Sequence, residues 1–241
     1  MIGLHLQLLS GHVTLPSRVV VEWPSGLDRR LDQEWREIHG YKVSCLRVDT
    51  EAFINTLMGN HFVLETLTAG SVYDPSNILQ DMQRIMAQEC SPDALVKHLA
   101  GYARSSFFHK VIKECAQWDV PRNWAKVMAI GFRRSLAALH LERTGELSLS
   151  LNYLTQRLAA DLKEEEIDTV NEVYGITFSE KGVSDLENRW QEKREPTLRY
   201  MKETTEDALA TCLRVKSLLA DRSGSTQLLP PTASQRLKNL L

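Results

Sequence analysis

The sequence predicts an α+β fold: a small mixed sheet region in residues 1–75, followed by a mainly α-helical region over residues 76–241. Three observations predict it. Arg18-Val-Val-Val-Glu-Trp23 is β-branched and Tyr41-Lys-Val-Ser-Cys-Leu46 alternates polar with apolar, as short strands do. From Asp49 onward, apolar residues recur at helical spacing. The chain has 241 residues, 43% hydrophobic and 25% charged, which fits one large or two small globular domains without a disulfide or metal staple.

The elements follow in order. Pro16 precedes the first strand and Pro24-Ser-Gly26 turns the chain after it. Asp28 to Glu37 is dense in both signs of charge and reads as a solvated helix or loop. The second strand, Tyr41 to Leu46, comes next. Asp49-Thr-Glu51 caps a helix carrying Phe53, Ile54 and Leu57, and Gly59-Asn60 ends it. Helix resumes over Phe62 to Leu67, and Val72-Tyr-Asp-Pro75 is extended, because Pro75 disfavours helix at the residue before it. Residues 76–116 hold two helices divided at Ser91-Pro92-Asp93, with Ser91 as cap and Pro92 at the first helical position.

Pro121 opens the clearest helix, whose stripe is Trp124, Val127, Met128, Phe132, Leu136 and Leu139, and Thr144-Gly145 stops it. Leu149 to Glu166 reads as one amphipathic helix with Glu164-Glu-Glu166 as its wet face. Val183 to Arg222 forms one or two polar helices broken at Pro196. Ser223-Gly-Ser225 is a loop, and Pro230-Pro231 starts a short terminal segment ending in Leu240-Leu241.

Composition excludes several classes. A net charge of -2 gives no global cationic surface for nucleic acid, although a local basic face is compatible with it. Cys45, Cys90, Cys115 and Cys212 form no CxxC pair and read as buried reduced thiols. No apolar run reaches the roughly 20 residues needed to span a bilayer. Met1 to Leu9 has no preceding basic region and includes His5. A cytoplasmic protein with no membrane partner is the expectation.

Few residues carry a chemical signature. P-loop, GxGxxG, HExxH and GxSxG motifs are absent, and His5, His12, His39 and His61 do not fall at metal spacing. Asp28 and Asp32 sit at i, i+4 but alternate with Arg29 and Arg30, which reads as surface ion pairing. Asp49 and Glu51 form a D-x-E pair. On an extended segment both point to one side, as a two-metal phosphoryl-transfer site requires; capping of the next helix is the plainer alternative. Lys126, Arg133 and Arg134 on the striped helix form either a phosphate-binding patch or solvated charge. Arg134 and His140 also echo the R-x4-6-H element of HEPN ribonucleases, yet six residues turn about 600° around a helix, so the two do not share a face.

One stretch carries a family resemblance. Phe53-Ile-Asn-Thr-Leu-Met-Gly-Asn-His-Phe-Val-Leu-Glu-Thr-Leu67, then Val72-Tyr-Asp74, resembles nucleotidyltransferases of the DNA polymerase β superfamily found in bacteria and phages. His98-Leu-Ala-Gly-Tyr-Ala103 resembles their first accessory helix. Lys126 through Arg134 to Ala138, then Thr144-Gly-Glu146, resembles their "K…R…LA…TGE" helix. Leu228-Leu-Pro-Pro231 with Leu237 to Leu241 resembles their C-terminal tail. The ordered set covers roughly residues 45–241.

The resemblance implies a partial nucleotidyltransferase-like α/β region in residues 1–75 and a helical accessory domain in 76–241. It also implies Mg²⁺ and an NTP as cofactors of an active form, with a nucleic-acid or protein hydroxyl as acceptor. Asp49 and Glu51 are then the remaining metal and catalytic candidates, and Lys126 and Arg134 the nucleotide-phosphate contacts. The chain departs from the family where catalysis resides. It has Ser10-Gly11 in place of a Gly-Ser turn, no D-x-D pair after it, and Lys42-Val-Ser-Cys45 where the third Asp is expected. The expectation is a chain that begins downstream of these motifs or has lost them, and that transfers nucleotides poorly or not at all. A non-catalytic partner- or nucleic-acid-binding module is the alternative, and a HEPN-like ribonuclease the second. The sequence does not specify an oligomeric state.

Overall fold

The computed structural model describes residues 4–5, 19–22, 32–38, 41–47, 54–55, 57–60, 63–67, 77–105, 121–178, 180–221 and 227–240, with side chains at most positions from Ile54 onward. This overturns the α+β expectation. From Ile54 to Leu240 every regular element is an α-helix, with no strand or sheet among the described residues there. All the described core side chains, Ile54 to Leu237, belong to this helical part, so the packing among the described side chains is all-α.

Before it, only backbone pairing is described: β1 (Leu4–His5), β2 (Val19–Glu22), β3 (Asp32–Ile38) and β4 (Tyr41–Arg47), in the order β1-β2-β4-β3. β3 pairs antiparallel with β4, Ile38 opposite Tyr41, across the two-residue gap of His39 and Gly40. A helix or loop was expected there, and a near neighbour supplies a hairpin ladder instead. The sequence of β3, Asp-Gln-Glu-Trp-Arg-Glu-Ile, has charges at both parities. It therefore offers no period-two apolar face on which to build a core.

The helices are α1 (Val63–Leu67), α2 (Ile78–Glu89), α3 (Pro92–Ser105), α4 (Pro121–Thr144), α5 (Leu151–Arg157), α6 (Glu164–Phe178), α7 (Glu180–Glu192), α8 (Arg194–Ser217) and α9 (Pro231–Leu240). The chain divides into two compact units. One comprises residues 1–9, 14–94 and 225–241, the other residues 10–13 and 95–224.

In the first unit α1, α2 and α9 pack together. Ile54, Leu57, Val63, Leu64, Met82 and Met86 are fully or almost fully buried, as are Leu228, Leu229, Ala233 and Leu237. Gln83 Nε2 donates to the Thr66 carbonyl at 2.8 Å and ties α2 to α1. Arg236 on α9 pairs with Glu89 and donates to Gln88 Oε1 at 2.9 Å, both at the end of α2.

In the second unit α4 is central, contacted by α5, α6, α7 and α8. Its expected stripe is buried except for half-buried Val127. Ala125, Ala129, Ala137 and Ala138 are buried as well. These small residues let neighbours approach α4 from other sides, which a one-face reading of the stripe misses. Trp124 Nε1 donates to Thr205 Oγ1 on α8 at 2.9 Å, and its ring meets Tyr200 edge-on at 6.2 Å. On the opposite strap, Thr177 Oγ1 of α6 lies 3.0 Å from the Ala125 carbonyl.

Two boundaries differ from expectation. Leu149–Glu166 is not one helix: Ser150 caps α5, which ends at Arg157, and α6 starts at Glu164. The break at the polar 183–222 stretch falls at Lys193, leaving Pro196 in the first turn of α8. A proline in a first turn forfeits no intrahelical hydrogen bond.

Candidate functional site

α4 carries most of the described residues to which the sequence assigns chemistry. Pro121 suits its first position, and Thr144 and Gly145 stop it. Gly145 has φ 73°, a left-handed conformation natural to glycine, and its N–H donates to the Leu141 carbonyl at 2.8 Å. Arg134 lies near mid-helix and is 8% exposed. Lys126 lies on the same helix, eight residues earlier, and its side chain is outside the described set. Asp49 and Glu51 also lie outside the described residues. Among the described residues, no group of three or more His, Cys, Asp and Glu could hold a metal ion.

The Thr144-Gly-Glu146 motif closes a polar cluster. Thr144 Oγ1 donates its one proton to the His140 carbonyl at 2.8 Å. It accepts from the Glu146 N–H at 3.1 Å and lies 3.4 Å from His140 Nε2. Glu146 Oε2 stands 3.7 Å from the same nitrogen. The Tyr153 hydroxyl of α5 donates to the Glu146 carboxylate at 3.3 Å, and its ring meets His140 edge-on at 5.5 Å. Arg157 lies 5.2 Å over the Tyr153 ring. The cluster fixes the turn from α4 into α5. His140 is 2% exposed and engaged here, about 240° around α4 from Arg134, so the two present no common face to RNA.

A second constellation joins α6 to α8. Glu166, expected on a wet face, is 6% exposed. Its carboxylate accepts two hydrogen bonds from Arg214 and one from the Lys163 N–H at 2.8 Å. Burial raises its pKa, but the Arg214 and Lys163 bonds outweigh that and hold it below the usual carboxylate range. Arg214 also donates to the Asp161 carbonyl at 2.7 Å, and the Asp161 carboxylate pairs with Arg143 at the end of α4. The partners are 48 residues apart. The sequence carries no local mark of that pairing, whereas Glu146 belongs to the Thr144-Gly-Glu146 motif itself.

A third constellation joins two stretches of the family resemblance. Asn60 holds φ 65°, and its Oδ1 accepts from the Leu228 N–H at 2.9 Å. Gln227 Nε2 donates to the Met58 carbonyl. The Gly-Asn helix end and the Leu-Leu-Pro-Pro stretch are thus bonded to each other. Cys90 and Cys212 are free and buried; burial pushes Cys90 up to about 11 and Cys212 up to about 12, so both are unreactive at neutral pH. Cys45 and Cys115 fall outside the described side chains.

No protein-family model matches the chain, and no curated protein matches it. Among solved structures, the chain is similar to the crystal structure of a nucleotidyltransferase-like protein from Exiguobacterium sibiricum 255-15. The identity is 10% and the TM-score 0.24, over 92% of this chain and 74% of that one. The likeness is loose and bears on none of the motif residues. No helix among the described residues is long and apolar enough to cross a membrane.

Proposed function

We propose that the chain is a nucleotidyltransferase-family protein whose own transfer of a nucleoside monophosphate from an NTP to a hydroxyl acceptor is weak or absent. The observation that supports this reading is the bonding of Asn60 to Leu228, 168 residues apart, because the resemblance singles out both stretches independently. Three described residues of the resemblance devote polar atoms to the fold. Asn60 ends a helix, Thr144 ends α4, and Glu146 receives Tyr153. Catalysis by this superfamily needs carboxylates on two metals, and Asp49 and Glu51 are the candidates for them here. Lys126 and Arg134 are the proposed phosphate contacts. Arg134 is largely buried, where a charge-assisted hydrogen bond is strongest.

The test is calorimetric binding of each of the four NTPs with Mg²⁺ to the full chain, followed by label transfer from α-labelled NTPs. Binding with at most trace transfer is expected, and Lys126→Ala with Arg134→Ala together weakens binding by about tenfold or more. Fast transfer overturns the claim of weak turnover. Absence of NTP binding removes the nucleotidyltransferase reading, and unchanged affinity in the double variant removes Lys126 and Arg134 from the site.

A further inference from the structure

The inner face of α8 is accounted for: Met201, Thr204, Thr205, Ala208, Thr211, Cys212 and Val215 are buried in the second unit. Its outer side carries Glu206, Leu209, Leu213 and Lys216 within an arc of about 80°, at 100° per residue. Leu213 is 45% exposed, one of two large apolar side chains so exposed among the described residues, and Leu209 is half-buried beside it. Glu206 and Lys216 are exposed, and among the described residues neither has an ion-pair partner.

The order of these residues is self-complementary. Their spacing of three, four and three reads the same in both directions, with the leucines inside, an acid at one end and a base at the other. We infer that this seam of α8 is a homodimer contact, in which a second copy of the chain lies antiparallel across it. Leu209 of each copy then faces Leu213 of the other, and Glu206 of each faces Lys216 of the other. A two-fold axis makes every contact twice, as an isologous interface requires. Parallel pairing is disfavoured, because it sets Glu206 against Glu206 and Lys216 against Lys216. Lys202 continues the arc one turn further and falls beyond the partner's helix end. Four side chains on one helix cover less than the roughly 800 Å² per partner of a standard interface. The pair is therefore weak and concentration-dependent. This inference does not rest on the nucleotidyltransferase reading.

Sedimentation velocity of the full chain, from about 5 to about 300 µM at low salt, tests it. The expected result is a reversible monomer–dimer equilibrium. Leu213→Asp abolishes it over that range. Glu206→Lys or Lys216→Glu alone weakens it by about tenfold, and the two together restore it, because the swapped charges face each other again. A chain that is monomeric throughout overturns the inference. So does a dimer indifferent to Leu213→Asp, or one that both single reversals weaken and the double reversal fails to rescue. The charge series decides the matter even if Leu213→Asp fails to fold, since all three positions changed in it or beside it lie on the exposed side of α8.

Discussion

Asn60 and Glu166 each satisfy a local need that a plain substitution exposes. Asn60 adopts a left-handed backbone and accepts a bond from Leu228. Asn60→Gly keeps the conformation and loses the bond; Asn60→Ala loses both. Thermal melts are expected to show a loss of about 1 kcal/mol for glycine and about 2 kcal/mol for alanine. Equal losses mean that the left-handed conformation contributes nothing. Glu166 is held ionised by Arg214, and its folded pKa lies below its unfolded one. Its contribution to stability is therefore complete above the unfolded value, near 4.3, and is lost as pH falls through the folded value. Glu166→Gln should lower the melting temperature at pH 7, with the gap to the parent closing on acidification. A gap that is constant from pH 7 down to pH 3 refutes the ion pair's role. Sequence alone made the opposite reading of this residue, since three successive glutamates look like a solvated face and the partner is far along the chain.

At the level of helices, α6 and α7 meet through glycine. A β-carbon at Gly182 would lie 2.4 Å from the Gly175 carbonyl oxygen, which is backbone and cannot swing aside. Gly182→Ala should thus cost upwards of about 2 kcal/mol. A β-carbon at Gly175 meets nothing within 4 Å, so Gly175→Ala in the interior of α6 should stabilise by about 0.5–1 kcal/mol. Paired denaturant titrations of the two variants check both signs. Helix starts were legible wherever proline marked them: Pro92, Pro121 and Pro231 each open a helix. The stop between α5 and α6 was not legible. No glycine or proline lies between Leu149 and Glu166, and the break depends on Glu166 capping Lys163 and on Arg214 reaching over from α8. Of the candidate site, Arg134 and the Thr144-Gly-Glu146 turn could be found by pattern. The His140 ring's burial against Tyr153 could not, because it needs the chain to double back after Gly145.

For the molecule as a whole, the first unit draws on segments far apart in the chain, with the second contained between them. Each should respond separately to damage. Arg236→Ala removes the bonds from α9 to Glu89 and Gln88. In hydrogen exchange it should lower amide protection in α2 and α9 and leave α4, α6 and α8 as they were. Protection lost evenly across all five helices would mean that the two units unfold as one. The α+β expectation failed at this scale because every buried side chain among the described residues, from Ile54 to Leu237, lies in the helical part.

The bond between Asn60 and Leu228 has a consequence for biosynthesis. The two residues leave the ribosome 168 positions apart, an interval of roughly ten to thirty seconds at ordinary translation rates. Through that time Leu57, Met82 and Met86 are present or being made while Leu228, Ala233 and Leu237, which are buried in the same unit, do not yet exist. Residues 95–224, the bulk of the second unit, are made during the wait. A nascent chain in this position leaves the apolar faces of its first helices uncovered, and a stalled or slowed message would lengthen their exposure.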